Sequence, residues 1–146
     1  MTFKKRAVPA LLAAAAVALA AFAQNAAAAS GGYGSSAAMP TIYSKNFWYT
    51  VAPSVVGSPP STATITTVYY NYSYPYPRPA GFQVYLCDNT GTYCADVTSY
   101  GSGGVTFAGT GVKANTPVKF YSRVAGTGTM SPLAGGPVNV TVNYDY

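Results

Sequence analysis

The most regular feature of the sequence is an alternation of apolar and polar residues with a period of two. It is clearest near the C-terminus, where Val138, Val140 and Val142 alternate with Asn139 and Thr141. Successive side chains of a β-strand point to opposite faces, so this period predicts a strand with one buried face. Similar segments, or dense runs of β-branched and aromatic residues, predict six further strands. The seven predicted strands cover residues 41–51, 62–74, 82–87, 94–97, 105–107, 118–124 and 138–144.

Segments rich in glycine and proline separate the predicted strands. The clearest are residues 52–61, 75–79, 101–104 and 126–136, which we interpret as loops. Short strands divided by such loops are typical of an all-β sandwich. The sequence therefore predicts one all-β domain over residues 41–146, a β-sandwich of about seven short antiparallel strands.

The N-terminus has the features of a secretory signal peptide. Three cations at positions 4–6 precede an Ala-rich apolar run over residues 7–23, and small residues follow. This order predicts a signal peptide over residues 1–29, with cleavage after Ala23 as the alternative. The run is short and weakly apolar beside the roughly 20 residues of a membrane-spanning helix. We therefore expect no stable membrane insertion after cleavage, and a periplasmic location with an extracellular one as the alternative. Residues 30–40 are mostly small and polar and predict a flexible leader.

The distribution of charge argues against one class of partner. The chain has eight Lys and Arg residues against three acidic residues, which gives a formal net charge of +5. Three of the cations lie in the predicted signal peptide, so the remainder has five cations, three acids and a net charge of +2. Binding to nucleic acid needs several clustered phosphate contacts, whereas these cations are scattered along the chain. We expect no nucleic-acid partner.

The inventory of reactive side chains is poor. The chain has no His and no Glu, and its only acids are Asp88, Asp96 and Asp145. Acid–base catalysis normally uses a His or a paired carboxylate. We expect Asp88, in a turn, and Asp145, at the C-terminus, to be solvated. The glycine-rich residues 101–104 do not begin a helix, so they are a poor phosphate site. The sequence predicts a protein that is not an enzyme and has no cofactor or metal site.

The two cysteines, Cys87 and Cys94, are predicted to form a disulfide across a hairpin. If Thr90 and Gly91 lie at its tip, the two cysteines face each other on adjacent strands. Opposed residues have Cβ atoms about 4.5–5.5 Å apart, close to the spacing of a disulfide. Redox-active pairs typically have two residues between the cysteines, and a metal site would need further ligands. We interpret the pair as structural.

Aromatic residues form the most distinctive cluster in the chain. Tyrosine is unusually frequent, and five tyrosines lie within residues 69–76. Tyr and Trp on a sheet face stack on sugar rings or form protein interfaces, whereas cross-strand aromatic packing needs no ligand. Packing is the favoured interpretation, and the surface role stays open. The residues of this candidate partner or glycan surface are Trp48, Tyr70, Tyr72, Tyr74, Tyr76 and Arg78.

The second half of the chain resembles the FlhE family of periplasmic flagellar proteins. The similar positions are Pro79-Ala80-Gly81, Val84, Leu86-Cys87, Cys94, Phe107, Pro117, Phe120, Leu133 and the terminal Val140-Thr141-Val142-Asn143-Tyr144. The resemblance implies a periplasmic β-sandwich with a non-enzymatic role in flagellar export or assembly. That role would be to limit proton leak through the export apparatus or to chaperone rod components. The implied partners are the flagellar export apparatus or rod proteins.

Two other functions stay open at this point. The Tyr-, Thr- and Gly-rich β composition is also typical of a secreted adhesive or fimbrial-type surface subunit. Such a subunit would need an N-terminal alternating apolar extension for strand donation, which residues 30–38 lack. The third hypothesis is a carbohydrate-binding module that uses Trp48 and the tyrosines.

Overall fold

The computed structural model describes residues 28–146, and within this range the chain forms eight β-strands and no helix. The predicted signal peptide lies almost wholly outside the described residues and stays a prediction. The strands are β1 (Ser30–Ala38), β2 (Tyr49–Val51), β3 (Thr64–Tyr72), β4 (Phe82–Cys87), β5 (Cys94–Asp96), β6 (Ser102–Thr106), β7 (Lys119–Val124) and β8 (Pro137–Asp145).

The strands form two antiparallel sheets that share one core. The first sheet has the order β1-β8-β3-β6 and the second has the order β2-β7-β4-β5. Alternate residues of β8, such as Val140, and of β4, such as Val84, belong to one buried cluster. Removal of each such side chain from water contributes about 1.5–3 kcal/mol, so the inward faces hold the sheets together. The predicted all-β sandwich is confirmed.

The prediction of a flexible leader over residues 30–40 is wrong for most of its length. Residues 30–38 form β1, which pairs with β8 along nine residues at one edge of the first sheet. Tyr33 supplies the only buried side chain of the strand, and its ring lies 6.4 Å from that of Tyr144. A Cβ on Gly31 would lie 2.6 Å from the Tyr144 ring, so glycine fits this position without a shift of that ring. Main-chain pairing, which has no signature in the side-chain pattern, is what orders this segment.

A β-bulge in β3 changes which residues of that strand face the core. The sequence pattern places Ile65, Thr67 and Tyr69 on one face. In the structure the pairing register with β8 shifts between Ile65 and Thr67, and the buried residues are Ile65, Val68 and Tyr70. An extra residue on one strand reverses the alternation beyond it. The alternation of this strand is therefore interrupted at the bulge, which a period of two does not predict.

Two predicted boundaries also differ from the structure. Of residues 41–51 only Tyr49–Val51 form a strand, because the chain turns at Asn46, which has a φ of 67°. The predicted loop at residues 101–104 is wrong from Ser102 onward, since Ser102–Thr106 form β6. This edge strand pairs with β3 through backbone N–H and C=O groups, which glycine also carries.

Candidate functional site

Three tyrosines of the predicted surface are part of the core. Tyr70, Tyr72 and Tyr74 are 8, 3 and 2% exposed. The Tyr72 hydroxyl donates to the Val97 carbonyl at 2.7 Å. Burial, partly opposed by Arg78, raises the pKa of Tyr72 to about 12, so this phenol stays a neutral donor. The prediction that these three residues belong to a partner or glycan surface is therefore corrected: they pack inside the sandwich.

Tyr76 and Arg78 lie together in the connection between β3 and β4. Tyr76 is 75% exposed, and the Arg78 guanidinium carbon is 4.5 Å from its ring centre. The same guanidinium lies 5.0 Å from the Phe82 ring centre, and its Nη1 donates to the Thr98 carbonyl at 2.8 Å. Arg78 thus anchors the connection to the loop after β5. Whether Tyr76 binds a partner stays a prediction.

Trp48 lies on a different surface, the outer face of the second sheet. It is 43% exposed, and its ring centre is 5.6 Å from that of Tyr85 and 6.3 Å from that of Tyr121. Tyr85 on β4 and Tyr121 on β7 are directly paired across the strands. Both alternate with buried residues, so both point outward beside Trp48. The predicted surface is therefore divided, and Trp48 belongs with two tyrosines that the sequence analysis did not single out.

The disulfide borders the same outer face. Cys87 and Cys94 are paired residues of β4 and β5 and are joined by an S–S bond of 2.02 Å, which confirms the predicted hairpin disulfide. Together with the three aromatic rings they line a groove of about 270 Å³. We call this feature the aromatic groove, and its lining residues are Trp48, Tyr85, Cys87, Gly91, Cys94 and Tyr121.

The hairpin turn that places Gly91 at the groove is held by Asp88. This side chain is 5% exposed, so the expectation that it is solvated was wrong. Its carboxylate accepts hydrogen bonds from the Tyr93 N–H at 2.9 Å and the Thr90 N–H at 3.2 Å, and also from the Thr90 hydroxyl. Burial alone would raise the pKa of Asp88, but these hydrogen bonds together lower it below its usual value. The carboxylate therefore stays ionised and keeps the turn rigid.

Charged and amide side chains flank the aromatic groove. The Arg123 guanidinium carbon lies 4.3 Å from the Trp48 ring centre, and its Nε donates to Gln83 Oε1 at 2.6 Å. Lys119 is paired with Cys87 across the strands, on the same outer face. The acid of this face, Asp96, already accepts the Thr98 N–H at 2.9 Å. The face is therefore aromatic with an excess of positive charge.

The side chains that this face exposes are aromatic rings and cations. Within residues 28–146 no group of three or more His, Cys, Asp or Glu is positioned to hold a metal ion. The same part of the chain contains no helix that is long and apolar enough to cross a membrane. Sequence reasoning found Trp48 and the disulfide but missed Tyr85, Tyr121 and Arg123. The sequence did carry a signal for these three residues, because each occupies an outward position in a strand whose residues alternate.

These features define a class: a small, disulfide-bonded β-sandwich with an exposed aromatic face on one sheet. The family model described as "Flagellar protein FlhE" matches residues 48–145, which include the whole aromatic groove. The chain therefore belongs to the FlhE family, and the predicted resemblance is confirmed.

One solved structure supports the same assignment. The chain is similar to "Crystal Structure of FLHE" with 25% sequence identity and a TM-score of 0.68. The similarity covers 82% of this chain and 100% of the other. No curated protein matches this sequence.

Proposed function

We propose that this protein is a non-enzymatic accessory of the flagellum that acts in the periplasm on flagellar export or assembly. The observation that carries this proposal is the FlhE family match over residues 48–145. The proposed action is to limit proton leak through the export apparatus or to chaperone rod components before they assemble. An exposed aromatic face with excess cations supports an action through binding, which either role requires.

Gene deletion tests this proposal and separates its two forms. A deletion strain should swim or swarm poorly, and the gene supplied in trans should restore motility. Cytoplasmic acidification while the export channels are open supports the proton-leak form. Aggregated or degraded rod components with a normal cytoplasmic pH support the chaperone form. Normal motility together with normal pH in the deletion strain contradicts the proposal.

The periplasmic part of the proposal rests on the predicted signal peptide. Either predicted cleavage, after residue 23 or after residue 29, leaves β1 whole, because that strand begins at Ser30. Fractionation of cells that express the full chain, with mass spectrometry of the product, should find a periplasmic protein that begins at Gln24 or Ser30. A full-length cytoplasmic product would contradict this location.

The adhesive-subunit alternative receives less support from the fold. Strand donation requires a sheet that lacks a strand, which a neighbouring subunit then supplies. Here the chain's own N-terminal segment forms β1 and completes one edge of the first sheet. We therefore do not favour a fimbrial function.

A further inference from the structure

The aromatic groove crosses the second sheet instead of following a strand. In the sheet order β2-β7-β4-β5, Trp48 stands just before β2, Tyr121 lies on β7 and Tyr85 on β4, and the disulfide joins β4 to β5. A ligand in this groove would lie over side chains and would not reach the main chain of an edge strand. Pairing of an added β-strand is therefore not its mode of recognition.

The rings of the groove form ridges with notches between them. The planes of Trp48 and Tyr85 meet at 71° and those of Trp48 and Tyr121 at 87°. A sugar stacks best on a flat ring face, whereas the Arg123 guanidinium already occupies one face of the Trp48 ring. Compact apolar groups such as proline rings fit between edge-to-face aromatic side chains. Grooves of this kind recognise proline-rich segments in several unrelated domains.

The size and polar groups of the groove suit a short extended peptide. Its volume of about 270 Å³ is at or below the roughly 300–1,000 Å³ of small-molecule sites, so it accepts a few side chains. A polyproline-II peptide has no internal hydrogen bonds, and its carbonyls are free to accept them. The lining supplies matching donors in two tyrosine hydroxyls and the Trp48 indole N–H.

The charges beside the groove select an acidic ligand. The guanidinium of Arg123 has five N–H donors, and one of them, at Nε, donates to Gln83. The donors on its two terminal nitrogens can therefore face a carboxylate of the ligand. Lys119 adds a second cation, so two cations face one carboxylate on this surface, that of Asp96, which accepts a hydrogen bond from its own loop. The chain's own proline run, residues 74–79, carries a cation and no acid. A second copy of this chain is therefore a poor occupant.

We propose that the aromatic groove binds an extended, proline-containing acidic peptide segment. The prolines insert between Trp48, Tyr85 and Tyr121, and the acidic side chains of the peptide face Arg123 and Lys119. This inference goes beyond the flagellar role and does not depend on it. Failure of peptide binding leaves the deletion test untouched, and a deletion strain without a phenotype leaves the groove proposal standing.

The single tryptophan makes the proposal directly measurable. Trp48 is the only Trp in the chain, so its fluorescence reports on the groove alone. A peptide of Pro-Pro-Asp repeats titrated into the purified exported protein should change this fluorescence saturably and release or absorb heat in calorimetry. Binding should weaken as salt is added. An Ala-Ala-Asp repeat peptide and a peptide of residues 74–79 should bind far more weakly.

Matched variants separate the groove from the rest of the surface. Tyr121→Leu should weaken binding roughly thirtyfold, the loss typical of a central aromatic residue in an interface. Tyr69→Leu is the control, because Tyr69 is an exposed tyrosine of the first sheet, paired across the strands with Gly104. Arg123→Gln should weaken binding about fivefold and flatten its salt dependence, whereas Lys113→Gln should do neither.

Three results would overturn the proposal. The first is the absence of both a fluorescence change and a heat signal with the Pro-Pro-Asp peptide. The second is equal binding of the Ala-Ala-Asp peptide, or an equal loss in Tyr69→Leu. The third is saturable binding of a peptidoglycan fragment that the Tyr121→Leu change abolishes while the peptide fails to bind. That last result would establish the carbohydrate-binding function instead.

Discussion

Gly81 ends the Pro79-Ala80-Gly81 motif that contributes to the family resemblance, and the structure explains why a glycine stands there. Its φ is +82°, a left-handed conformation that residues with a Cβ rarely adopt. Its carbonyl accepts the Ala125 N–H at 2.8 Å, which ties the start of β4 to the end of β7. A Cβ at this position would overlap the Ala125 carbonyl oxygen. Conformation and space therefore both require glycine.

Gly81→Ala should destabilise the fold more than a substitution that only strains the backbone. The matched control is Gly57→Ala, since Gly57 has a φ of +75° and no atom within 4 Å of the added Cβ. The control should cost about 1 kcal/mol, because only left-handed strain is added. Gly81→Ala should cost roughly 1–3 kcal/mol more through overlap with the backbone. Urea unfolding of the two variants measures the difference in the free energy of unfolding. Equal losses of stability in both variants would contradict the prediction, because they would show that the backbone moves to relieve the overlap.

Asp88 makes the stability of the hairpin depend on pH. Its folded pKa lies below the ordinary value of 3.8 because the hydrogen bonds to its carboxylate outweigh its burial. A group with a lowered folded pKa stabilises the fold above its unfolded pKa, and this contribution is lost as the pH falls through the folded pKa. The contribution should therefore be complete at neutral pH and decline once the pH falls below about 3.8.

Asp88→Asn should lower the free energy of unfolding at pH 7 by about 1–3 kcal/mol, because hydrogen bonds to a charged acceptor are replaced by weaker ones. The deficit should shrink as the pH falls below about 3.8, where the wild-type carboxylate becomes protonated. Denaturant titrations of the variant and the wild type at pH 7 and at low pH measure this difference in the free energy of unfolding. Asp145→Asn, at the exposed end of β8, is the control. A deficit that does not change with pH would contradict the assignment to this carboxylate.

At the scale of the element, the β4–β5 hairpin is the unit that links stability to the groove. The disulfide between Cys87 and Cys94 joins the short edge strand β5 to β4. The same two residues line the aromatic groove. β5 has only three residues, so few main-chain hydrogen bonds hold it without the disulfide. The hairpin is therefore expected to loosen before the rest of the second sheet does.

Replacement of both cysteines by serine should lower stability by roughly 2–3 kcal/mol, because the unfolded chain is no longer constrained by the loop of about eight residues. Denaturant unfolding of the double variant and of the reduced wild type should agree. A thiol assay on denatured, unreduced wild-type protein should detect no free thiol. Two reactive thiols, or an unchanged midpoint in the variant, would contradict the hairpin account.

The edge strand β1 shows why one element escaped prediction. The nine residues Ser30–Ala38 contain no apolar alternation, and Tyr33 is the only large side chain among them. Pattern recognition relies on side chains, whereas this strand is held mainly by backbone pairing with β8. The bulge in β3 escaped for a related reason, since a register shift is a property of two strands together and not of either sequence.

At the scale of the whole molecule, the packing of two sheets decides which tyrosines are available to a partner. Tyr70, Tyr72 and Tyr74 face inward, where the two sheets meet, although they are consecutive alternate residues that also suit an exposed face. Tyr85 and Tyr121 instead face outward, and they are adjacent in space although they are distant in sequence. A surface composed of residues from separate strands exists only once the sheet order is set.

The sequence by itself determined the fold class, the hairpin disulfide, most of the strands and the family. The fold class, the strands and the disulfide follow from local patterns: a period of two, turn residues between strands, and two cysteines at a spacing that suits one hairpin. The family follows instead from the resemblance of particular positions between Pro79 and Tyr144. Only the tertiary structure decided that residues 30–38 complete the first sheet and that most of the tyrosine cluster is core. It also decided that Trp48 joins Tyr85, Tyr121 and the disulfide in one groove. The physical reason is that alternation identifies two faces of a strand, whereas the second sheet determines which face is buried.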